Sequence, residues 1–364
     1  MARAGLGNSW RCLFANDFCP KKAASYSSNW GSADLVVRDV YDLMPSDLPG
    51  TADLAWASFP CQDLSLAGNG AGLMGERSGT FWGFFRLMQS LAKENRKPKV
   101  VALENVYGAL TSHGGRDFDA IAKALAAEGY NFGACVIDAV HFVPQSRPRL
   151  FIVAVDASVS VPPQLLSNRA QPAWHPDGVI RSYNRLSKKL KDRWRWWSMP
   201  SPEVRLKSLD ELIEAEPMDV KWHTKVQTQK LLAMMTPINR SKVVAAQTSG
   251  RPTVGTIYKR TREGVQRAEI RFDGVSGCLR TPRGGSSRQT IMVVDGPRIR
   301  TRLLSGREAA RLMGLPDTYK LPARYNDAYM LAGDGLVVPV IRHIAAHIIE
   351  PLVAAATLRK VRAA

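Results

Sequence analysis

The chain has 364 residues, a hydrophobic content of 45% and a formal net charge of +18 at pH 7. Its five cysteines show neither CxxC spacing nor nearby histidine pairs, which argues against a zinc site and a disulfide framework and favours free thiols in a reducing, cytoplasmic setting. The length allows one large domain or two smaller ones. The charge favours a polyanionic partner, nucleic acid above all, although a solvated basic surface would have the same balance.

Short β-rich runs alternate with amphipathic stretches as far as Asp156. The pattern predicts helices over residues 81–94 and 116–128, the second closed by Gly129. It predicts strands over residues 11–14, 35–37, 54–57, 100–103, 134–137 and 150–155. Strands that alternate with helices indicate an α/β fold with a doubly wound, mainly parallel sheet.

The composition changes after Asp156, where Val161-Pro162-Pro163 resembles a linker. A cationic and aromatic patch follows at residues 188–197 (KKLKDRWRWW), then an acidic helix candidate at 208–216 and basic stretches at 258–271 and 280–288. This uneven charge predicts a second domain that faces nucleic acid. The apolar stretch 336–358 contains Pro339 and Arg342, so it predicts a packed terminal helix and not a membrane span.

Reactive groups of three kinds, a thiol, a carboxyl and two guanidiniums, flank predicted strands. Cys61 comes directly after the run 54–57, Glu104 after 100–103, and Arg147 and Arg149 lead into 150–155. Ligands of α/β enzymes bind at the carboxyl edge of the sheet, so these groups could attack, protonate and hold a pyrimidine ring. Each has a simpler interpretation alone: a buried thiol, a capping carboxylate, a surface pair.

Six motifs in order make the chain resemble the DNA (cytosine-5) methyltransferases. They are Pro60-Cys61-Gln62, Arg77-Ser78-Gly79-Thr80-Phe81, Glu104-Asn105-Val106, Gln145-x-Arg147-x-Arg149, the stretch 307–316 (REAARLMGLP) and the stretch 333–340 (GDGLVVPV). The resemblance implies a Rossmann-like fold that uses S-adenosylmethionine, with a catalytic domain at 1–156, a target-recognition domain at 157–325 and a returning segment at 326–364.

The resemblance also implies roles for the catalytic residues. The Cys61 thiolate would add to cytosine C6, and Glu104 would neutralise the charge that develops toward N3. Arg149 would contact O2 or hold the adduct, while Arg147 and Gln145 would order the pocket. The glycine-rich loop 65–77 would close over a base flipped out of the duplex.

Further residues are implied for the cofactor and for DNA. The cofactor-binding candidates are Asp17, Phe18, Asp39, Val40, Pro60, Phe81 and Asp334. The DNA-binding candidates are Arg280, Arg283, Arg288, Ser65 and Gln62, with Lys259, Arg260 and Arg262 as phosphate anchors. Asp17 could equally cap a helix and Asp39 could be a turn residue. The implied partner is double-stranded DNA, bound by a monomer without a membrane.

The chain departs from the family pattern at three places. It begins at the helix after the first motif, so the first strand and its Phe-x-Gly-x-Gly turn are missing, which is interpreted as a misplaced start. Cys278-Leu279 replaces Thr-Leu, and Asp334-Gly335 replaces Asn-Ser. Two alternatives stay open: a catalytically impaired DNA-binding protein, and a tRNA cytosine-5 methyltransferase. A cysteine hydrolase is disfavoured, because no suitable histidine base accompanies Cys61.

Overall fold

The structure is a computed structural model that describes residues 1–59, 80–205, 207–262, 264–281 and 288–363. The strands of the described part, in chain order, are β1 (Ala15–Asn16), β2 (Leu35–Val36), β3 (Leu54–Ser58), β4 (Val100–Val106), β5 (Tyr130–Asp138), β6 (Pro148–Asp156), β7 (Leu166–Ser167), β8 (Trp196–Trp197), β9 (Thr253–Arg262), β10 (Val265–Arg271), β11 (Thr290–Asp295) and β12 (Arg298–Leu303).

The α-helices of the same residues are α1 (Ala2–Leu6), α2 (Pro20–Trp30), α3 (Thr80–Lys93), α4 (Arg116–Ala127), α5 (Asp177–Arg185), α6 (Lys188–Arg193), α7 (Lys225–Ala233), α8 (Pro237–Gln247), α9 (Gly306–Arg311), α10 (Tyr325–Asp334), α11 (Val338–Ile344) and α12 (Glu350–Ala363). A π-helical turn, Ala345–Ile349, joins the last two helices. The predicted helices at 81–94 and 116–128 correspond to α3 and α4 and are confirmed.

The chain divides into two compact units. The larger unit consists of Ala2–Ile137, Pro148–Pro202 and Val340–Ala364, and the smaller unit of Met1, Asp138–Arg147 and Glu203–Pro339. In the larger unit, one sheet has the order β3-β4-β6-β5, and β1 pairs with β2 in parallel. The β3–β4 pairing is parallel and the β4–β6 pairing is antiparallel, so the predicted α/β fold has a mixed sheet.

The main core of the larger unit lies between this sheet and its helices. Phe81 and Phe85 of α3 and Phe118 and Leu125 of α4 are buried against the sheet. These residues recur at helical spacing on one face of each helix, which explains why the two stretches fold as amphipathic helices. The smaller unit has its own core under an antiparallel sheet of order β10-β9-β11-β12.

Two predicted elements were wrong. The predicted strand at 11–14 is not formed, and β1 begins at Ala15, whose N–H donates to the Asp34 carbonyl. The predicted acidic helix at 208–216 is only a 3-10 turn, Asp210–Leu212. The Glu211 carboxylate there accepts hydrogen bonds from the backbone N–H and the hydroxyl of Ser208, and Ile213 is already extended. This local capping stabilises one turn without a helix beyond it.

Residues 157–202 belong to the larger unit and not to the smaller one. Trp197 donates its indole N–H to the Val153 carbonyl of β6, and Arg195 donates its backbone N–H to Phe132 of β5. Trp194 packs edge-on against Phe118 of α4, with ring centroids 6.2 Å apart. These contacts bind the segment to the sheet, although its composition differs from that of the residues before it.

The apolar stretch near the C-terminus forms helices that are largely packed. Ile341, Ile344, Ile348 and Leu352 each have at most 1% of their surface exposed. The helical region Tyr325–Leu358 is long and apolar enough to cross a membrane by length and composition, yet 56% of its most apolar window is buried inside the protein. Core helices of soluble proteins satisfy the same criterion.

A fully buried ion pair links β12 to α9 in the smaller unit. The Arg302 guanidinium donates to both oxygens of Glu308 at 2.8 and 2.6 Å, and neither side chain has exposed surface. The Glu308 carboxylate also accepts from the backbone N–H groups of Ser305 and Glu214. Such a pair is costly to break because the remaining charge stays in a medium that solvates it poorly.

We therefore expect Glu308→Ala to lower the free energy of unfolding by about 3–5 kcal/mol in urea titrations followed by circular dichroism. Asp317→Ala is the matched control. Asp317 also binds an arginine, Arg311, through both oxygens at 2.8 Å, but its side chain is 60% exposed. Its loss should cost about 1 kcal/mol or less. Equal losses in the two variants would contradict the role of burial.

Candidate active site

The strand register brings an acid and an arginine together at one edge of the larger unit's sheet. Glu104 lies opposite Ser58 on one side and opposite Phe151 on the other. Arg149 lies opposite Val106, and side chains two residues apart on a strand share a face. Glu104 and Arg149 are thus diagonal neighbours, which is the arrangement that long side chains can bridge.

The two side chains contact each other. Arg149 Nε lies 3.4 Å from Glu104 Oε1, and the side chains are 18% and 10% exposed. Arg149 also donates to the Pro148 carbonyl at 2.9 Å, which holds its guanidinium over the strand end. The pair is therefore shielded from bulk water but still reaches the surface. An acid paired in this way is suited to interact with a polar ring edge.

The predicted nucleophile Cys61 lies outside the described residues, as do Pro60, Gln62, Ser65, Arg283 and the glycine-rich loop. The chain can be followed along β3 to Ser58 and the buried Phe59. Asn105 Nδ2 donates to the Phe59 carbonyl at 3.3 Å. The residue next to the acid thus holds the backbone two positions before Cys61.

Gln145 and Arg147 are placed differently from Arg149. They are buried in the smaller unit and contact backbone groups there. Gln145 Nε2 donates to the Leu312 carbonyl, and its Oε1 accepts from the Leu279 N–H. Arg147 donates to the carbonyls of Leu279, Gly333 and Gly335 at 2.7–2.9 Å, and it lies 3.4 Å from Cys278 Sγ.

This hydrogen-bond hub gives a structural account of two residues that the sequence assigned to the pocket. One guanidinium ties together the Cys278-Leu279 turn and the end of α10, both of which depart from the family pattern. If Arg147 were removed, each carbonyl would lose this donor, and an unsatisfied acceptor in a buried site lowers the free energy of unfolding. The catalytic role of Gln145 and Arg147 stays a prediction.

The first cofactor candidates lie together at the ends of β1 and β2. These strands are parallel neighbours, and Asn16 Nδ2 donates to the carbonyls of Val36 and Arg38. Phe18, which follows β1, has 65% of its surface exposed. An exposed phenyl ring at the carboxyl edge of a sheet is available to pack on a flat heterocycle.

The adjoining carboxylates have local partners, as the alternative interpretation anticipated. Asp17 Oδ1 accepts from the Cys19 N–H at 2.8 Å, just before α2. Asp39 Oδ1 accepts from the Tyr41 N–H at 2.9 Å and caps a 3-10 turn. Val40 packs on Gly83 of α3, where an added Cβ would lie 2.8 Å from the Val40 Cγ1 methyl group. A carboxylate has two oxygens, so this capping leaves room for a ligand hydroxyl.

Two other cofactor candidates are elsewhere. Phe81 has no exposed surface and packs against Phe59 and Phe85, with ring centroids 5.5 and 5.6 Å away. Phe81 thus contributes to the core, and its contact with a cofactor stays a prediction. Asp334 is exposed at the last residue of α10 in the smaller unit.

The DNA-binding candidates of the smaller unit also differ from one another. Arg280 is exposed. Arg288 donates to Asn326 Oδ1 at 2.6 Å and lies over the Tyr325 ring, so it is fixed by its own unit. Arg260 on β9 lies 3.8 Å from Glu269 of β10 and over the Tyr258 ring. Among the described candidates of this unit, Arg280 is thus the one most available to a phosphate or a base edge.

The structure brings together a cysteine and a histidine that are 40 residues apart in the sequence. Cys135 Sγ of β5 lies 3.8 Å from His175 Nε2, and His175 Nδ1 accepts from the Gln171 N–H. Burial raises the pKa of Cys135 to about 12 and lowers the pKa of His175 to about 4. At neutral pH both groups are therefore uncharged, which excludes an activated thiolate here.

The larger unit thus has an α/β sheet with chemical groups at its strand ends, and the smaller unit has an antiparallel sheet, a combination compatible with an S-adenosylmethionine-dependent methyltransferase. The model of the C-5 cytosine-specific DNA methylase family matches residues 2–350. The chain belongs to that family and is a DNA (cytosine-5) methyltransferase with S-adenosylmethionine as its methyl donor.

The curated relatives agree with this family. The chain is 27% identical to Type II methyltransferase M.HaeII of Haemophilus aegyptius, over 93% of the chain and 86% of the relative. It is 25% identical to Type II methyltransferase M.HhaI of Haemophilus parahaemolyticus, over 93% and 87%. The S. pombe Dnmt2 methyltransferase structure has a TM-score of 0.57 at 17% identity, covering 94% of this chain and 91% of that one, which shows a common fold.

Substitution of the two arginines of this motif, Arg147 and Arg149, should have different effects on stability and on catalysis. Arg147→Ala should lower the free energy of unfolding by about 2–4 kcal/mol, because three buried carbonyls lose their donor. Arg149→Ala should cost less stability, because its partner Glu104 keeps some contact with water, and should lower kcat by about 10²–10³, as expected for a donor that meets charge developing in the reaction. Thermal unfolding and methyl transfer to DNA measure the two effects. A stability loss in Arg149→Ala equal to that in Arg147→Ala would refute the division.

Proposed function

We propose that the protein methylates C5 of a cytosine within a specific sequence of double-stranded DNA, through a covalent bond between Cys61 and C6. The observation that carries the proposal is the Glu104–Arg149 pair at the edge of β4, 3.4 Å apart and one strand from the end of β3. Cys61 follows β3 by three residues in the sequence. An acid, a cation and a thiol then converge on one edge of the sheet.

The chemistry of the ring explains why three groups are needed. C5 of cytosine is a weak nucleophile, and addition of the Cys61 thiolate to C6 moves an electron pair toward N3 and O2. A proton shared between Glu104 and N3 neutralises that charge, and Arg149 donates to O2. The C5 carbon becomes that of an enamine and takes the methyl group. Loss of the C5 proton then expels the thiolate and restores the ring.

When it is bound, S-adenosylmethionine would supply an electrophilic methyl group, and its sulfonium sulfur would keep the pair of the broken S–CH3 bond as a neutral thioether. Phe18, Asp17 and Asp39 fit its adenosine part, because an exposed aromatic ring and two carboxylates lie at neighbouring strand ends. In this assignment Phe18 packs on the adenine, and the second carboxylate oxygens accept from ribose hydroxyls or the amino group. These residues bind and orient, while Glu104 handles the proton.

The substrate base has to leave the duplex to reach this edge, at a cost of a few kcal/mol. The exposed Arg280 and the strand cation Arg260 support binding of the flanking duplex by the smaller unit. They can hold phosphates, and any sequence readout additionally requires contacts to base edges in a groove.

The test uses the full chain with mixed genomic DNA and tritiated S-adenosylmethionine. Cys61→Ser should reduce methyl transfer below detection, because a hydroxyl is a far weaker nucleophile than a thiolate. Glu104→Gln should lower kcat by about 10²–10⁴. Cys12→Ser is the matched control, since the hydroxyl can keep the polar contact that Cys12 Sγ makes with the Tyr26 hydroxyl at 3.5 Å.

A duplex that contains 5-fluorocytosine should form a covalent complex with the wild-type chain and not with Cys61→Ser, visible as a gel shift that survives denaturation. Activity retained in Cys61→Ser would overturn the nucleophile assignment. Transfer to tRNA in preference to DNA would replace the proposed substrate.

A further inference from the structure

The segment 157–202 presents a strongly basic surface. It contains eight Lys or Arg residues and only two acidic residues, Asp177 and Asp192. We call its eight cations the α5–α6 basic face: Arg169, Arg181, Arg185, Lys188, Lys189, Lys191, Arg193 and Arg195. Five of them, Arg169, Arg181, Arg185, Lys188 and Lys189, are classed as exposed, and the other three are partly exposed.

The charges of this face are not compensated within the described residues. No salt bridge there involves any of the eight cations. Their polar contacts go to neutral groups instead: Lys191 donates to the Asn184 carbonyl and Arg185 to the Leu110 carbonyl. Arg181 and Arg185 are four residues apart on α5, and like charges at that spacing destabilise a helix. A surface that keeps such a pair is suited to an external anion.

The face is held rigidly by the aromatic residues among its cations. Trp194 and Trp197 are buried, and Tyr183 and Trp196 pack on each other with ring centroids 4.9 Å apart. No large hydrophobic side chain of the segment is among the exposed ones. The face therefore offers charge without a stacking platform. That chemistry fits the phosphate backbone of a duplex better than the unstacked bases of a single strand.

The position of α5 connects the face to the active-site edge. The 3-10 segment Tyr107–Leu110 directly follows β4, whose end carries Glu104. Ser182 Oγ and Arg185 Nη2 both donate to the Leu110 carbonyl, at 3.3 and 3.1 Å. Gly178 lies against Tyr107, where an added Cβ would be 2.4 Å from the tyrosine hydroxyl. The helix is thus seated on the strand end that would receive the substrate base.

We propose that the α5–α6 basic face is a second DNA-binding surface, located in the larger unit, that holds the phosphates of the duplex next to the methylated site without reading its sequence. The inference rests on the proposed function, because it takes DNA to approach the edge that carries Glu104. It adds a contact that binds any duplex DNA, so it predicts tighter and more salt-dependent binding to the substrate, with no change in the chemical step.

The test compares two double variants of the full chain. Lys188→Ala with Lys189→Ala removes two exposed cations of the face. Arg11→Ala with Lys93→Ala is the matched control, because it removes the same charge from two exposed positions outside the α5–α6 basic face. Arg11 precedes β1, and Lys93 ends the helix that returns before β4 begins. Circular dichroism and thermal unfolding check that both variants are folded.

Binding to a 40-base-pair duplex of mixed sequence is measured by fluorescence anisotropy at several salt concentrations between 50 and 200 mM. The face variant should bind about tenfold or more weakly at 100 mM salt, and the slope of log K against log salt should fall by about 1.8, which corresponds to two lost phosphate contacts. The control should keep the wild-type slope. Equal losses in the two variants, or an unchanged slope, would overturn the proposal, as would a loss confined to duplex RNA.

Methyl transfer to genomic DNA separates this proposal from the proposed function. At saturating DNA and low salt, the face variant should keep the wild-type kcat while its KM for DNA rises in parallel with Kd. A fall in kcat with unchanged DNA affinity would contradict a binding role. If the wild-type chain transferred no methyl group, only the proposed function would be overturned, because the anisotropy assay measures duplex binding and does not require methyl transfer.

Discussion

The active-site edge depends on the register between β4 and β6. These strands are antiparallel, so the first residues of β6 lie beside the last residues of β4. The register Val106 to Arg149 and Glu104 to Phe151 puts the acid and the arginine on one face, where they approach to 3.4 Å. A slip of one residue would turn one of the two side chains to the opposite face. The runs Val100 to Leu103 and Leu150 to Val155 are buried on both faces, so such a slip would change which side chains pack on each face of the sheet and would disturb a close-packed core.

Much of this edge could be predicted from the sequence because its information is local. An apolar run followed by a polar residue marks a strand end, and Glu104 was found in that way, whereas Arg149 was found as part of a motif that leads into an apolar run. The sequence pattern does not show the direction of β6. The arginine motif precedes that strand and does not indicate whether the strand runs parallel or antiparallel to β4. The partners of Arg147 were beyond reach for another reason: Leu279 and Gly333 are 132 and 186 residues away along the chain. Only the tertiary fold brings such groups together.

The structure differs from the sequence-based expectation where local hydrogen bonding or long-range packing outweighs composition. The acidic stretch at 208–216 has helical composition, yet Glu211 caps a single turn, and the Glu214 carbonyl is taken by Arg302. The segment 157–202 looked like the start of another domain because it is rich in cations. Its tryptophans decide otherwise, since Trp197 hydrogen-bonds to β6 and Trp194 shares the core with Phe118. Charge density marks what a surface binds, whereas buried aromatic area decides which core a segment joins.

That distinction explains how a basic surface can be stable without internal partners. Each uncompensated cation on α5 and α6 raises the electrostatic free energy of the folded chain, and burial together with the neighbouring Arg193 lowers the pKa of Arg195. The opposing contribution comes from the apolar side of the same helices, where Val179, Leu186 and Leu190 join the main core. Hydrophobic burial changes little at moderate ionic strength, whereas attraction to phosphates weakens as salt rises. The helices can thus stay folded over a range of ionic strength in which their affinity for an anion changes greatly, so binding can be regulated without unfolding the surface that performs it.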